Sequence, residues 1–157
     1  MSFAAYLSLN LMVAILFAVV PKRLHMFEMI FLWISMTFFY QSFFAALTIN
    51  LGWITYTMNP TDYLALVVNR LIFIPLFIIW LADLCKRARS YILKSVYTVI
   101  AVLTLSFMQY VTVWTGLIKH VHWQIWMTIV SWLALIILVM AFHKGFQRVL
   151  KRELELD

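Results

Sequence analysis

The feature that most constrains this chain is a series of long apolar runs that contain almost no charge. Each run approaches the roughly 20 apolar residues that a helix needs to cross a bilayer. Of the 157 residues, 66% are hydrophobic and 11% are charged, whereas ordinary soluble domains carry about 25% charged residues. A soluble fold of this length could not bury so much apolar surface. We therefore predict an all-α, polytopic integral membrane protein with a single transmembrane domain over residues 1–157. Its five transmembrane helices are expected at about 3–20, 27–50, 62–82, 91–115 and 123–143.

Polar residues and glycines mark where these spans begin and end. Asn59 can cap the third helix and Pro60 suits its first position. Ser90 can cap the fourth helix in the same way. The three glycines fall just past a predicted helix or in its last turn, where a residue that tolerates positive φ is favoured: Gly52, Gly116 and Gly145.

Lysine and arginine are concentrated in the loops on one side of the predicted spans. That side carries Lys22, Arg23, Lys86, Arg87, Arg89, Lys144, Arg148, Lys151 and Arg152, with Lys94 just inside the fourth span. The other side carries Lys119 alone. Because positive charge is retained on the cytoplasmic face, we expect a cell-membrane protein with its N-terminus outside and its C-terminus in the cytoplasm. The net charge of +6 then reflects contact with membrane lipid, and no nucleic-acid partner is expected.

The segment 144–157 continues past the fifth span with apolar residues at helical spacing. It predicts a short amphipathic helix in the cytoplasm, at the inner membrane surface. The alternative is a solvated helix end.

One arginine interrupts the third apolar run, in the stretch VVNRLIFIPLF at 67–77. Arg70 lies eight residues inside the predicted span, roughly 12 Å deep at 1.5 Å per residue. A central arginine costs about 2.5–3.5 kcal/mol on insertion scales, so it needs partners. Pro75 follows and frees a backbone carbonyl by removing a helical hydrogen bond. The predicted polar layer at this depth contains no carboxylate and consists of Asn10, Gln41, Asn69, Arg70, Ser106, Gln109 and Ser131.

Three interpretations of this layer stay open. Arg70 can be structural, satisfied by amide oxygens from Asn10, Gln41 or Gln109 and by the kinked backbone. It can contact a lipid or a partner protein. It can also line a pocket, open toward the outer leaflet, for a small anion.

Residues nearer the membrane surfaces are expected to be structural. Glu28 begins the second span and should pair with a basic neighbour among Lys22, Arg23 and Lys94, favoured by the helix N-terminus. The alternative is a proton-carrying acid, for which its position is too shallow. Trp53 and Tyr56 resemble interfacial anchors in the loop that precedes the third span.

The pair His120 and His122 is a weak candidate for metal binding, because imidazole suits zinc or copper. Two ligands do not make a site, and Asp62 is the one other strong ligand on that side. We therefore expect no bound metal and no cofactor.

Motifs for nucleophilic, metal-dependent or phosphate-loop chemistry are absent from the sequence. We therefore predict a small non-enzymatic membrane protein, an accessory or assembly subunit that binds lipid, another membrane protein or further copies of itself. A channel or carrier for a small anion or amphiphile, using the pocket around Arg70, is the first alternative. An intramembrane lipid-modifying enzyme is the second, although no residue qualifies as its nucleophile.

Overall fold

The computed structural model describes residues 3–57 and 59–154. Most of them are helical, which confirms the predicted all-α class. Four helices are long and apolar enough to cross a membrane: Met26–Asn50, Pro60–Arg87, Tyr91–Trp114 and Ile125–Leu150. The elements in chain order are α1 (Phe3–Val19), α2 (Met26–Ala45), a π-helical turn (Ala46–Asn50), β1 (Ile54–Tyr56), α3 (Pro60–Val68), a second π-helical turn (Asn69–Phe73), α4 (Ile74–Arg87), α5 (Tyr91–Trp114), β2 (Ile118–His120) and α6 (Ile125–Leu154).

The third long helix is interrupted by the π-helical turn Asn69–Phe73. Its backbone bond runs from the N–H of Ile74 to the carbonyl of Asn69, five residues back. Pro75 lies in the first turn of α4, and its missing N–H removes a donor from the regular ladder. The wider turn carries one extra residue, and Asn69 and Arg70 are both buried there.

Helices α2, α4, α5 and α6 form a ring in which each packs against two neighbours. Helix α1 lies outside the ring and packs against α3, the second π-helical turn and α4. The stretch Pro60–Arg87 is therefore the central one, with 61% of its most apolar window buried against 28% in the other three long helices. Those three present large apolar side chains outward, as helices in contact with lipid do.

Two short strands close one end of the bundle. Strand β1 pairs antiparallel with β2, with Thr55 opposite Lys119. Gly52 and Gly116 precede the two strands with φ of 62° and 76°, which glycine adopts without a steric penalty. This end is called the strand end. The sequence did not predict strands here.

The opposite end, called the basic end, brings together the ends of five helices. The N–H of Arg23 donates to Asp83 Oδ1 at 2.6 Å, and Glu28 forms an ion pair with Lys86 at 2.9 Å. The lysine-rich and arginine-rich loops therefore meet on one side of the molecule, with Lys119 at the other.

The predicted helix caps are confirmed. The side chain of Asn59 accepts a hydrogen bond from the N–H of Thr61 at 3.2 Å. Ser90 Oγ accepts from the N–H of Ile92 at 3.2 Å.

The prediction that Gly145 marks a helix end is wrong, because α6 runs through it without a break to Leu154. Beyond the glycine, the ring of Phe146 stacks on Phe31 of α2 at 4.3 Å. This contact holds the helix against its neighbour. The expected tail helix at 144–157 is thus a continuation of α6 as far as Leu154, and residues 155–157 lie outside the described part.

Candidate functional site

Arg70 lies inside the ring of helices and is surrounded by aromatic rings. Its Cζ atom is 3.9 Å from the centroid of Phe44, 4.8 Å from that of Tyr56 and 5.8 Å from that of Tyr40. Its Nη1 donates a hydrogen bond to the hydroxyl of Tyr56 at 2.9 Å. These four residues are called the arginine cage. A buried guanidinium is stabilised here by ring faces and one hydroxyl, and by no carboxylate among the described residues.

Three separate elements build the cage. Tyr40 and Phe44 are four residues apart on α2, so they share one face, and their ring centroids are 5.2 Å apart. Strand β1 ends at Tyr56, whose ring stacks near Phe44 at 6.2 Å. Tyr56 is half-buried there and its hydroxyl contacts Arg70, so it contributes to the bundle, and its role as an interfacial anchor stays a prediction. Trp53 packs beside Trp123 at the strand end, with ring centroids 6.2 Å apart.

A small cavity adjoins the cage. Its volume is about 20 Å³, and its lining includes Tyr40, Asn69, Arg70, Gln109 and Trp132. A space of this size holds about one water molecule. Arg70 Nη2 is buried here without a hydrogen-bond partner among the described residues. The cavity therefore has a polar donor and room for a water, but no room for a larger anion or for an amphiphile.

Only part of the predicted polar layer comes together. Asn69 and Gln109 line the cavity with Arg70, and Gln109 Oε1 accepts from Trp132 Nε1 at 3.0 Å. The expectation that amides would bind the guanidinium is not met, since its acceptor is the Tyr56 hydroxyl.

The other members of the layer bond within their own helices or stay apart. Asn10, only 1% exposed, donates to the carbonyl of Tyr6 at 2.7 Å. Ser131 donates to the carbonyl of Thr128 at 2.9 Å. Within the described residues Gln41 and Ser106 make no side-chain hydrogen bond, although Ser106 Oγ is buried.

At the basic end, Glu28 is the centre of a buried polar cluster. The residue is 4% exposed and accepts from Lys86 Nζ at 2.9 Å, from Gln147 Nε2 at 2.7 Å and from the N–H of His25 at 2.9 Å. His143 Nε2 lies 3.7 Å from Glu28 Oε1, the oxygen that accepts from Gln147. Helices α2, α4 and α6 are joined at this carboxylate.

Glu28 pairs with a basic residue, as predicted, but its partner is Lys86 and not Lys22, Arg23 or Lys94. Lys22 turns back onto α1 and donates to the carbonyls of Phe17 and Val20, and Arg23 contributes its backbone N–H to Asp83. Lys86 reaches Glu28 instead because α4 packs directly against α2.

A large groove opens beside this cluster, between α4, α5 and α6. Its volume is about 660 Å³. Apolar side chains of α5 and α6 line its inner part: Val99, Leu133, Ile137 and Met140. Three lysines, Lys86, Lys94 and Lys144, line its outer part, while His143 and Gln147 form the wall shared with Glu28. It is called the basic groove.

Sequence reasoning missed the basic groove because it used these lysines only as a signal of orientation. The available signal was position: Lys94 and Lys144 lie within or directly against the predicted spans, and not in the middle of a loop. Their convergence depends on how α4, α5 and α6 pack, which no local pattern reveals.

The two candidate histidines lie at the strand end. His120 is opposite Ile54 in the strand pair, its Nε2 is buried without a partner among the described residues, and burial lowers its pKa below the ordinary value. His122 is exposed. In the searched part of the chain, no three His, Cys, Asp or Glu side chains approach one another closely enough to hold a metal ion.

Comparison of the chain with protein-family models, with curated proteins and with solved structures finds no match.

Proposed function

We propose that this chain is a non-enzymatic, multi-pass protein of the cell membrane that works by binding, as an accessory or assembly subunit. Its ligand enters sideways from the bilayer and is another membrane component, a lipid or a membrane protein. The basic groove carries this proposal, since it is an open recess of about 660 Å³ between helices that could cross a membrane.

The groove has the two surfaces that an amphiphilic ligand requires. Its inner part is apolar, with Leu133 and Ile137 on α6, and its outer part carries Lys94 and Lys144. A ligand that is apolar along most of its length and polar at one end matches both surfaces. The ion cluster at Glu28 ties α2, α4 and α6 together behind the groove, so its back wall is held in place.

The arginine cage supports a structural role for Arg70. The guanidinium is already enclosed by Phe44, Tyr56 and Tyr40, and the adjoining cavity of about 20 Å³ has space for roughly one water. A carrier that moves an anion or amphiphile past Arg70 would need a larger cavity. The enzyme alternative has no described cluster of nucleophile and base to support it.

Native mass spectrometry of the tagged protein, extracted gently from its own membrane, tests this proposal. Ile137→Trp fills the groove from α6, where Ile137 is 58% exposed. Leu138→Trp is the matched control, because Leu138 is the next residue on the same helix, is 38% exposed and does not line the groove.

We expect a stoichiometric lipid or protein partner on the wild-type chain and on Leu138→Trp, and its loss from Ile137→Trp. A chain without any such partner in all three preparations would contradict the proposal.

A further inference from the structure

The depth of the basic groove matches the boundary between headgroups and hydrocarbon. Lys86 lies in the last turn of α4 and Lys94 in the first turn of α5, so both are at helix ends, where a membrane helix meets the headgroup region. Leu133 lies about three turns of α6 before Lys144, roughly 16 Å away at 1.5 Å per residue. The groove thus reaches from the level of the headgroups well into the level of acyl chains.

The charge at the outer part of the groove is positive and largely unbalanced. Lys86 is paired with Glu28 at 2.9 Å. Within the described residues, Lys94 and Lys144 form no ion pair with a carboxylate. The oxygens of Glu28 are already used by Lys86, Gln147 and the N–H of His25, so this carboxylate leaves two lysines available to an anion.

These two features select one kind of ligand. A free phosphate would satisfy the lysines but leave the apolar wall at Val99 and Ile137 without a ligand. A zwitterionic lipid would bring the cationic group of its own headgroup close to the lysines. An anionic phospholipid supplies a net negative headgroup and an acyl chain together, and basic pockets between membrane helices suit such headgroups.

We infer that the basic groove binds one anionic phospholipid from the leaflet at the basic end, with its phosphate at Lys94 and Lys144 and an acyl chain along Val99, Leu133 and Ile137. This inference rests on the proposed function and names its ligand. The lysine ammonium groups donate to the phosphate oxygens. The apolar wall excludes water from the first part of the chain.

Titration of the purified, delipidated protein with dioleoyl phosphatidylglycerol or dioleoyl phosphatidylcholine, followed by native mass spectrometry, tests the inference. The test variant is the double substitution Lys94→Gln/Lys144→Gln. The matched control is Arg89→Gln/Arg148→Gln, which removes the same charge from exposed positions at the same end without touching the groove. Circular dichroism verifies that each variant keeps its helices.

We expect one tightly bound phosphatidylglycerol per chain and weaker binding of phosphatidylcholine. Because each lysine strengthens attraction to an anionic headgroup, the lysine double variant should bind phosphatidylglycerol roughly tenfold to thirtyfold more weakly. The arginine double variant should bind it about as tightly as the wild type.

Other results would overturn the inference in distinct ways. Equal weakening by both double variants would mean a diffuse surface effect and no built site. Equal affinity for the two lipids, lost on Ile137→Trp, would overturn the anionic headgroup but leave the proposed function intact. Inorganic phosphate binding as tightly as the lipid would show that the acyl chain contributes nothing. A protein partner that occupies the groove in place of lipid would also refute it.

Discussion

At the scale of single residues, Arg70 shows how an apolar bundle stabilises a buried cation without a carboxylate. Its guanidinium lies within 3.9–5.8 Å of three ring centroids and donates to the Tyr56 hydroxyl. Cation–π contacts contribute about 0.5–2 kcal/mol each, which together is comparable to the insertion cost of about 2.5–3.5 kcal/mol. The cage therefore roughly offsets the burial of the charge.

This balance predicts the behaviour of Arg70→Leu. The lost ring contacts and the relieved burial nearly cancel, so the remaining effect is the Tyr56 hydroxyl left without its partner. That costs about 1–3 kcal/mol. Thermal unfolding in detergent should show this loss, whereas Arg89→Leu, at an exposed position, should change stability by less than about 0.5 kcal/mol.

A double-mutant cycle isolates the hydroxyl. In Arg70→Leu/Tyr56→Phe both polar partners are gone, so the double variant should be more stable than Arg70→Leu alone. Strictly additive losses would show that the two side chains are not coupled.

At the scale of elements, the helices could be predicted from sequence but their connections could not. Asn59 and Ser90 act as caps through contacts two residues away, and such local chemistry is visible in the sequence. The pairing of Ile54–Tyr56 with Ile118–His120 joins segments far apart in the chain, and three-residue strands carry no periodic signal. The cage and the basic groove have the same origin in distant contacts. Arg70 itself was found from sequence because a charge within an apolar run is conspicuous, whereas its aromatic partners were not.

We expect the strand end to lose stability in acid because of His120. Burial lowers the pKa of His120, so the folded state binds the proton more weakly than the unfolded chain, whose pKa is about 6.5. In that window the unfolded state holds more protons, and the free energy of unfolding falls as pH falls. The contribution of neutral His120 to the free energy of unfolding is fully present above its pKa in the unfolded chain. It declines as pH drops from about 6.5 toward the lower pKa of His120 in the folded state.

Comparison of thermal unfolding at neutral pH and at a pH about one unit below 6.5 measures this effect. His120→Gln should reduce the loss of stability on acidification. His122→Gln removes an exposed histidine two residues away and should leave the loss unchanged. An unaltered pH dependence in His120→Gln would show that His120 does not cause the effect.

At the scale of the whole molecule, helix α1 decides on which side the N-terminus lies. It has 17 residues, about 26 Å at 1.5 Å per residue, which is slightly less than the roughly 30 Å of hydrocarbon. It nevertheless runs along the bundle. Near its start the hydroxyl of Tyr6 forms a hydrogen bond of 3.2 Å with the hydroxyl of Thr115, at the strand end. Just past its end, the N–H of Arg23 bonds to Asp83 at the basic end.

These contacts predict that the N-terminus shares the side of Lys119, whereas the C-terminus lies with Arg89. Because lysine and arginine are in excess at the basic end, we predict that this end faces the cytoplasm. The Cys85→Ser substitution removes the single native cysteine of the chain. In this background a membrane-impermeant maleimide should label Lys119→Cys in intact cells, and should label Arg89→Cys only after permeabilisation. A protease added outside should remove an N-terminal tag. Protection of that tag while Lys119→Cys is labelled would mean that α1 does not cross the membrane, and the five-span arrangement would then reduce to the four long helices.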